Sequence, residues 1–447
     1  MRHVVLVVLL TLLAIPAGAR ADERPGLVVI APAAWEADLA PYVELRRQAF
    51  DVRVAALEDV LRTVEGVDAP ERVKRFLWRG WREHGVRYAL LVGDSDTFPV
   101  RWMVLDRVHA PAFHTAFYAS DHYYADVARD DGSFDDWNAT TDGHHAGYFG
   151  EVTGEHGKAG PINLDRVSYV PEVAVGRWPV STRDDLRAVI AKTVAWEARA
   201  VGPRRALLVH MGGWVDARGA YGAWADTLAG AGWSVERRLF GEGGEPQPAE
   251  VVAALKGGVE LAFHAGHGSE ETWHGCLGPR ERAALAGAPT AVMFSVGCGT
   301  AVFSAQPPYE PYLDVHGLLQ RGTNAGQVFT EPPAPPAALQ PGRLDATGLG
   351  ERLVRMPSGG AVAYIGCNTG AQPCALTLQE GFTAAVASGA RRLGDAWNAA
   401  LAHYWRAQRL ADLKPDAGWY PPSVFFQGMK FMVFGDPALP LPAAGAE

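Results

Sequence analysis

The chain has 447 residues, a hydrophobic content of 48%, a charged content of 20% and a formal net charge of -9. This composition is ordinary for a globular protein and is long enough for one large domain or two medium ones. The negative charge argues against a nucleic-acid-binding protein.

The first 21 residues are typical of a secretory signal. Arg2 and His3 form a short polar start, residues 4–15 are apolar, and a small-residue cleavage site follows at 17–21. The apolar run is too short to span a bilayer, and no second run of about 18 apolar residues follows it. We therefore predict an exported protein, secreted or periplasmic, without an integral membrane segment.

Apolar runs alternate with helical patterns from residue 27 to about residue 200. The predicted strands are Leu27–Ala31, Asp51–Ala55, Tyr88–Asp96 and Val175–Trp178, with helices from about Pro41, over Ala69–His84 and after Thr182. This order predicts a parallel sheet covered by helices. Thr182 and Asp185 form a variant of the capping box at the start of the last of these helices.

The same alternation begins again after a boundary near residues 200–204. The predicted strands are Arg205–His210, two runs beginning at Val259 and Ala291, Ala361–Gly366 and Lys430–Leu439, with helices over Tyr221–Gly232, Ala249–Lys256, Leu378–Gly389 and Arg392–Leu410. We therefore predict a signal peptide at 1–21, an N-terminal α/β subdomain at 22–202 and a second α/β subdomain at 203–447. The Pro-rich stretch 306–342 is predicted to be a surface insertion or lid.

Two consecutive strands of the second subdomain each end in a small-residue turn with one reactive side chain. His267 follows the first strand and Cys298, between two glycines, follows the second. Catalytic and ligand-binding residues of α/β proteins lie at the carboxyl ends of strands. A base and a thiol at these positions therefore indicate nucleophilic catalysis. The N–H groups of Gly268 and Cys298 are candidate oxyanion donors.

Each of these assignments has an alternative. Most free cysteines are small buried hydrophobic residues, although a Gly-Cys-Gly turn at a strand end is an unusual place for one. His264 and His274 compete with His267 as the base, and the position of His267 past the strand end favours it. Cys367 and Cys374 lie near enough in sequence to pair, but four cysteines in a chain of this size are not a disulfide framework.

The loop 121–151 is acidic and aromatic. Its best-spaced oxygen ligands are Asp136, Asn138, Asp142 and Glu151, which suit a hard cation such as Ca²⁺. The spacing does not match the helix–loop–helix calcium motif. On spacing alone, a solvated acidic loop is an equally good interpretation.

Several sequence blocks resemble the gingipain-like cysteine peptidases, the C25 family of the caspase-like clan. The blocks follow the family order and include ALLVGDSDTFPVR, SDHYYADV, EVAVGRWPVST, HAGHGSEETW, VGCGTA, AVAYIG and FMVFGDPAL. The resemblance covers about residues 27–441, and several blocks in one order are more specific than any single motif. One departure is that Gly297-Cys298 stands where well-known members have two adjacent cysteines.

The resemblance implies a fold of two adjacent caspase-like α/β subdomains with mostly parallel sheets flanked by helices. It places Cys298 at the family nucleophile, His267 at the catalytic histidine and Glu172 at the acid that orients this histidine. From its own sequence context, Glu172 is better interpreted as a surface residue at a strand entry. The resemblance also favours bound calcium, with Asp136, Asn138, Asp142 and Glu151 as its ligands.

The resulting hypothesis is a secreted cysteine endopeptidase, expected to be a monomer, that acts on proteins or peptides. A sorting transpeptidase of the same family is one alternative, because an amine can replace water as the acyl acceptor. A catalytically inactive, calcium-stabilised binding protein on the same scaffold is another.

Overall fold

The computed structural model describes residues 24–104, 117–139, 148–150, 161–199, 204–322, 334–342, 347–414 and 420–442, except the side chains of 420–422. The predicted signal peptide therefore lies outside the described residues, as do Asp142 and Glu151. In the described ranges, every helix is too short or too polar to cross a membrane.

The first half of the chain folds as the alternation of apolar runs predicts. Its elements are β1 (Gly26–Ala31), α1 (Ala40–Arg47), β2 (Asp51–Ala56), α2 (Leu57–Thr63), α3 (Ala69–His84), β3 (Val86–Val92), β4 (Trp102–Val104), β5 (Phe117–Ala119), α4 (His122–Ala125), β6 (Ala174–Trp178) and α5 (Arg183–Glu197). The Thr182 hydroxyl caps α5 by accepting the Asp185 N–H at 3.1 Å, which confirms the predicted cap.

The second half contains the predicted strands and several elements that lack a sequence signal. Its elements are β7 (Arg205–His210), α6 (Arg218–Gly230), β8 (Ser234–Leu239), α7 (Pro248–Lys256), β9 (Leu261–Ala265), α8 (Pro279–Ala284), β10 (Ala291–Val296), β11 (Tyr312–Leu313), β12 (Leu319–Gln320), α9 (Leu349–Arg355), β13 (Ala361–Cys367), α10 (Leu376–Ala387), α11 (Leu393–Ala407), α12 (Tyr420–Phe426) and β14 (Phe431–Phe434). β8 carries no clear signal because it is a polar strand at the sheet edge.

The two halves share one ten-stranded sheet with the order β2-β1-β3-β6-β14-β13-β10-β9-β7-β8. Four strands come from the first half and six from the second. β14 pairs antiparallel with β13, from Phe431 opposite Cys367 to Phe434 opposite Tyr364, and it contacts β6 through Phe434 and Arg177. The prediction of a mostly parallel α/β fold is confirmed, and the two predicted sheets are continuous.

Because β14 is parallel to β6 and antiparallel to β13, the strands of the two halves run in opposite directions. The exits of β9, β10 and β13 therefore lie at the same edge as the entry of β6. At the opposite edge, after β3 and β6, the Asp94 N–H donates to the Val180 carbonyl at 3.1 Å. The first residue of β5 meets the segment that follows β10 where the Phe117 N–H donates to the Pro307 carbonyl at 3.2 Å. The carboxyl ends of parallel strands are where α/β proteins bind ligands, so the edge at which β9, β10 and β13 end is the place to search for a site.

The described parts of the Pro-rich insertion are ordered against the first half. β11 and β12 form a short antiparallel hairpin, and the Ala337 N–H donates to the Leu313 carbonyl at 2.8 Å beside it. The Trp102 indole N–H in turn donates to the Ala337 carbonyl at 3.0 Å. The insertion thus forms a wall beside β4.

A buried ion cluster ties the first half to the C-terminal segment. The Arg46 guanidinium donates through Nε to Asp436 at 2.7 Å and also pairs with Glu197 at the end of α5. Arg46 and Asp436 are both fully buried. Because a buried charge is costly without its partner, this cluster fixes the segment after β14 against α1.

We expect Asp436→Ala to destabilise the protein strongly, by about 3 kcal/mol, because it leaves the buried Arg46 charge with Glu197 alone. The matched control is Asp412→Ala, which removes an exposed partner of Arg409 and should cost less than about 1 kcal/mol. Urea denaturation followed by circular dichroism measures both values. Equal effects of the two substitutions would contradict a structural role for the buried cluster.

Candidate active site

The exit of β9 carries His267. Gly266, with a φ of +156°, turns the chain out of the sheet, and its N–H donates to the Val296 carbonyl at 3.3 Å. The His267 side chain is exposed, and its Nε2 lies 3.0 Å from the Gly213 carbonyl oxygen. Because a carbonyl oxygen only accepts hydrogen bonds, we assign the ring proton to Nε2. Nδ1 is then the nitrogen that can act as a base.

The exit of β10 carries Cys298. The side chain is half-buried, and its Sγ lies 3.7 Å from the Ala371 carbonyl oxygen. Gly299 follows with a φ of +65°, and its N–H donates to the Thr369 carbonyl at 2.7 Å. The loop after β13 therefore borders the thiol on one side.

The two turns lie directly against each other. A Cβ atom added at Gly268 would lie 3.0 Å from the Cys298 carbonyl oxygen and 3.2 Å from the Gly297 carbonyl carbon. A Cβ added at Gly297 would lie 3.3 Å from the Gly266 carbonyl oxygen. Glycine permits this approach of two backbones because it has no side chain. The structure thus brings together the turns that carry the imidazole and the thiol.

The same turns present backbone N–H groups. Within the described ranges, neither the Gly268 N–H nor the Cys298 N–H donates a hydrogen bond to another protein group. Buried or semi-buried N–H groups normally have a partner, so a free pair beside a thiol is available to a ligand oxygen.

His264 lies beneath these turns rather than in the site. Its ring is fully buried, stacks on Trp273 at a centroid distance of 4.7 Å, and contacts the Ser295 hydroxyl through Nδ1 at 2.9 Å. Burial lowers the pKa of His264 to about 3, so the ring is neutral at physiological pH. A buried, stacked ring cannot reach a substrate.

His274 is the remaining competitor of His267. It is exposed, its backbone N–H donates to the His267 carbonyl at 3.0 Å, and the two rings lie 6.2 Å apart. His267 lies one residue before Gly268 and is therefore nearer than His274 to the contact between the two turns. The structure therefore favours His267 as the base.

Glu172, which the family resemblance assigns to orient His267, is held by backbone N–H groups. The Glu172 carboxylate accepts the N–H groups of Val127 and Ala128 at 2.9 and 3.1 Å, and none of its described hydrogen bonds involves His267. Glu172 precedes β6, and because β14 is parallel to β6 but antiparallel to β13, the entry of β6 lies at the same edge of the sheet as the exit of β9 that carries His267. Burial, followed by the nearby Asp126 charge, raises the pKa of Glu172 to about 7.

The predicted calcium ligands are only partly described. Asp136 pairs with Arg129 at 3.1 Å, while the side-chain oxygen of Asn138 is buried without a hydrogen-bond partner in the described part of the chain. No described set of three or more acidic, His or Cys side chains is grouped to hold a metal. The unpaired Asn138 oxygen fits a cation ligand. The Asp136 carboxylate already has a cationic partner.

Lys74 supplies a further positive charge near this loop. Its ammonium group is fully buried and lies 4.2 Å from the Tyr123 ring centroid and 4.5 Å from that of Trp137. Burial lowers the pKa of Lys74 to about 8, and the nearby Asp126 and other acidic groups oppose that shift. An internal cation thus offsets part of the negative charge of the loop.

Sequence reasoning missed two groups that border the candidate site. The Gly213 carbonyl holds His267, and its only sequence signal is a glycine pair after the β7 strand. The Gln427 side chain, fully buried, accepts the Gln372 N–H at 2.7 Å and donates to the Gly370 carbonyl at 3.2 Å. It fixes the loop that faces Cys298, and no pattern distinguishes it from other glutamines.

The chain is similar to known proteins of one family. A model of Peptidase family C25 matches residues 20–442. The crystal structure of the Arg specific cysteine proteinase gingipain R is 16% identical, with a TM-score of 0.61, over 94% of this chain and 79% of that one. A complex of Porphyromonas gingivalis RgpB pro- and mature domains is also 16% identical, with a TM-score of 0.59, over 93% and 79%. No curated protein matches the chain.

Thiol labelling tests this geometry. All four cysteines carry thiols rather than disulfides, and three of them, Cys276, Cys367 and Cys374, are buried. Burial raises the pKa of the Cys276 and Cys367 thiols to about 12, so neither forms a reactive thiolate at neutral pH. We expect iodoacetamide to modify Cys298 alone in the folded protein, as read by peptide mass spectrometry. Faster labelling of any other cysteine would contradict the arrangement.

Proposed function

The chain belongs to peptidase family C25, and we propose that it cleaves peptide bonds through a Cys298 thiolate generated by His267. The observation that carries this proposal is the contact between the exits of β9 and β10. That contact sets an exposed imidazole and a half-buried thiol on adjoining turns, beside two N–H groups without partners among the described residues.

The chemistry follows from these positions. His267 Nδ1 takes the Cys298 thiol proton, and the thiolate attacks the substrate carbonyl carbon. The Gly268 and Cys298 N–H groups donate to the oxyanion as negative charge develops on it. The protonated His267 then gives its proton to the leaving amine as the C–N bond breaks. Water, deprotonated by His267, hydrolyses the thioester and releases the second product and the thiol.

Two groups are candidates for orienting His267. The Gly213 carbonyl accepts from Nε2 at 3.0 Å, which fixes the tautomer with Nδ1 free. The family resemblance gives this role to Glu172, whose carboxylate is held by Val127 and Ala128 instead. We assign the orientation of His267 to the Gly213 carbonyl, because it makes the contact that the role requires.

We also propose where the enzyme works and which class of substrate it cleaves. The predicted signal peptide at 1–21 supports secretion or delivery to the periplasm, where a peptidase meets proteins and peptides as substrates. We propose that the enzyme acts there as a monomer. One structural neighbour is an Arg specific cysteine proteinase. Cleavage of a peptide library will identify the residue that this chain prefers at the cut site.

We expect Cys298→Ala to abolish cleavage and His267→Ala to lower kcat/KM by about 10³-fold or more, because each removes a partner of the same proton transfer. Glu172→Gln should change kcat/KM by less than about threefold if Gly213 orients the base. The measurement is cleavage of a quenched peptide library under reducing conditions, with circular dichroism as the folding control.

Three outcomes would contradict parts of this proposal. Full activity of Cys298→Ala would remove the nucleophile. A loss of about 10⁴-fold in Glu172→Gln would return the orienting role to Glu172. Adding an amine acceptor and finding it joined to the product in place of hydrolysis would identify the enzyme as a transpeptidase.

We also propose a structural calcium ion held by Asp136, Asn138, Asp142 and Glu151. The Asn138 oxygen, which is unpaired among the described residues, supports this proposal. A cation there would neutralise the loop and fix its packing on α3.

Calcium is expected to raise Tm by several degrees relative to the protein in EGTA, because a ligand that binds only the folded state stabilises it. Asp142→Ala should remove the calcium-dependent increase, while the control Asp184→Ala, at an exposed helix position, should keep it. Differential scanning fluorimetry provides the values. The same Tm in calcium and in EGTA would rule out the site.

A further inference from the structure

A cavity of about 750 Å³ lies between the first half of the chain and the Pro-rich insertion. Its walls are mainly apolar and aromatic and include Trp102, Phe117, Tyr148, Phe149 and Pro336. This volume is in the range of clefts that bind small molecules or several side chains of a peptide. The predicted catalytic residues, all of which the structure describes, lie outside its lining.

Exposed apolar side chains mark the rim of this cavity. Val67 and Val315, from opposite walls, are 73% and 53% exposed. Large apolar side chains that are this exposed beside a cavity are typical of binding surfaces.

The guanidinium at the cavity floor is already neutralised. Arg101 is buried, donates through both terminal nitrogens to the Asp68 carboxylate at 2.8 Å, and lies 3.9 Å from the Phe149 ring centroid. A guanidinium paired in this bidentate way offers little to an anionic ligand. The lining therefore favours an apolar occupant over a charged one.

The cavity lies beside one of the loops of the candidate active site. Trp102 and Phe117 also line a narrow cleft whose other wall includes Asn368 and Thr369. The Thr369 carbonyl accepts the Gly299 N–H at 2.7 Å, one residue from Cys298. Across the cleft, the Asn368 side chain donates to the Ala119 carbonyl at 2.6 Å. The loop after β13 therefore lies between the turn that carries the thiol and the cavity.

We propose that this cavity binds apolar or aromatic side chains of the polypeptide substrate, at a distance from the cleaved bond. The path from Cys298 through Thr369 and Ala119 to Trp102 is roughly 15 Å, which corresponds to about five residues of extended chain. The proposal rests on the peptidase function proposed above. It adds to that function a second substrate-binding site and states which class of side chains this site binds.

The experiment uses peptides that differ only far from the cleaved bond. Library profiling supplies a cleaved core segment, and quenched peptides extend it on either side with a Leu-Phe pair or a Ser-Gly pair about five residues away. The variants are Val67→Asp and Val315→Asp, which place a carboxylate at the apolar rim. Val170→Asp is the matched control, since Val170 is 57% exposed and does not line the cavity.

We expect the wild-type enzyme to prefer the Leu-Phe extension by about tenfold in kcat/KM, mainly through KM. Each rim variant should lose that preference while cleaving the core peptide at the wild-type rate, and Val170→Asp should retain it. Equal cleavage of both extensions by the wild type would overturn the proposal. A lower Tm in both rim variants, but not in the control, would also overturn it by showing that the protein itself fills the cavity.

A binding measurement separates this proposal from the proposed function. Fluorescence anisotropy follows the labelled Leu-Phe peptide on Cys298→Ala, which retains the cavity. If Cys298→Ala cleaves the core peptide at the wild-type rate while the rim variants weaken binding, the cavity is supported and the proposed Cys298 peptidase mechanism fails. If cleavage occurs and binding is the same for rim variants and control, the peptidase function is supported and the cavity proposal fails.

Discussion

The four-residue strand β14 joins the two halves of the sheet, and the placement of every other strand across the seam depends on it. It pairs with β13 on one side and contacts β6 on the other. The buried Arg46–Asp436 pair fixes the segment that follows it. Because the loop after β13 borders Cys298, the position of the thiol relative to the first half is set through this strand.

Much of this architecture could be predicted because buried parallel strands require continuous apolar runs. The apolar runs of β9 and β10 predict both strands, and the glycines after them predict the turns that carry His267 and Cys298. β8 could not be predicted in this way, because this edge strand is mostly polar and contains no continuous apolar run. The short hairpin in the Pro-rich insertion is held by contacts with other segments, which no local pattern records.

The candidate site shows where sequence reasoning has a physical limit. Reactive side chains can be recognised by type and context, which is why Cys298 and His267 could be named. The partner of His267 in the structure is a backbone carbonyl, and every residue has one. Glu172 has the right chemistry for that role, but chemistry does not tell which group its carboxylate will face. In the structure, this carboxylate accepts the Val127 and Ala128 N–H groups.

The buried ring of His264 has a consequence for how the enzyme responds to acidity. It contacts both glycine turns from below, and its stack on Trp273 and bond to Ser295 keep it in place. Burial lowers the pKa of this ring to about 3. The His264 ring that supports the turns is therefore neutral throughout the range from about pH 5 to about pH 9. This ring therefore keeps one charge state, and one set of contacts, across that range. The turns that carry the imidazole and the thiol thus rest on a residue that takes no direct part in the proposed reaction.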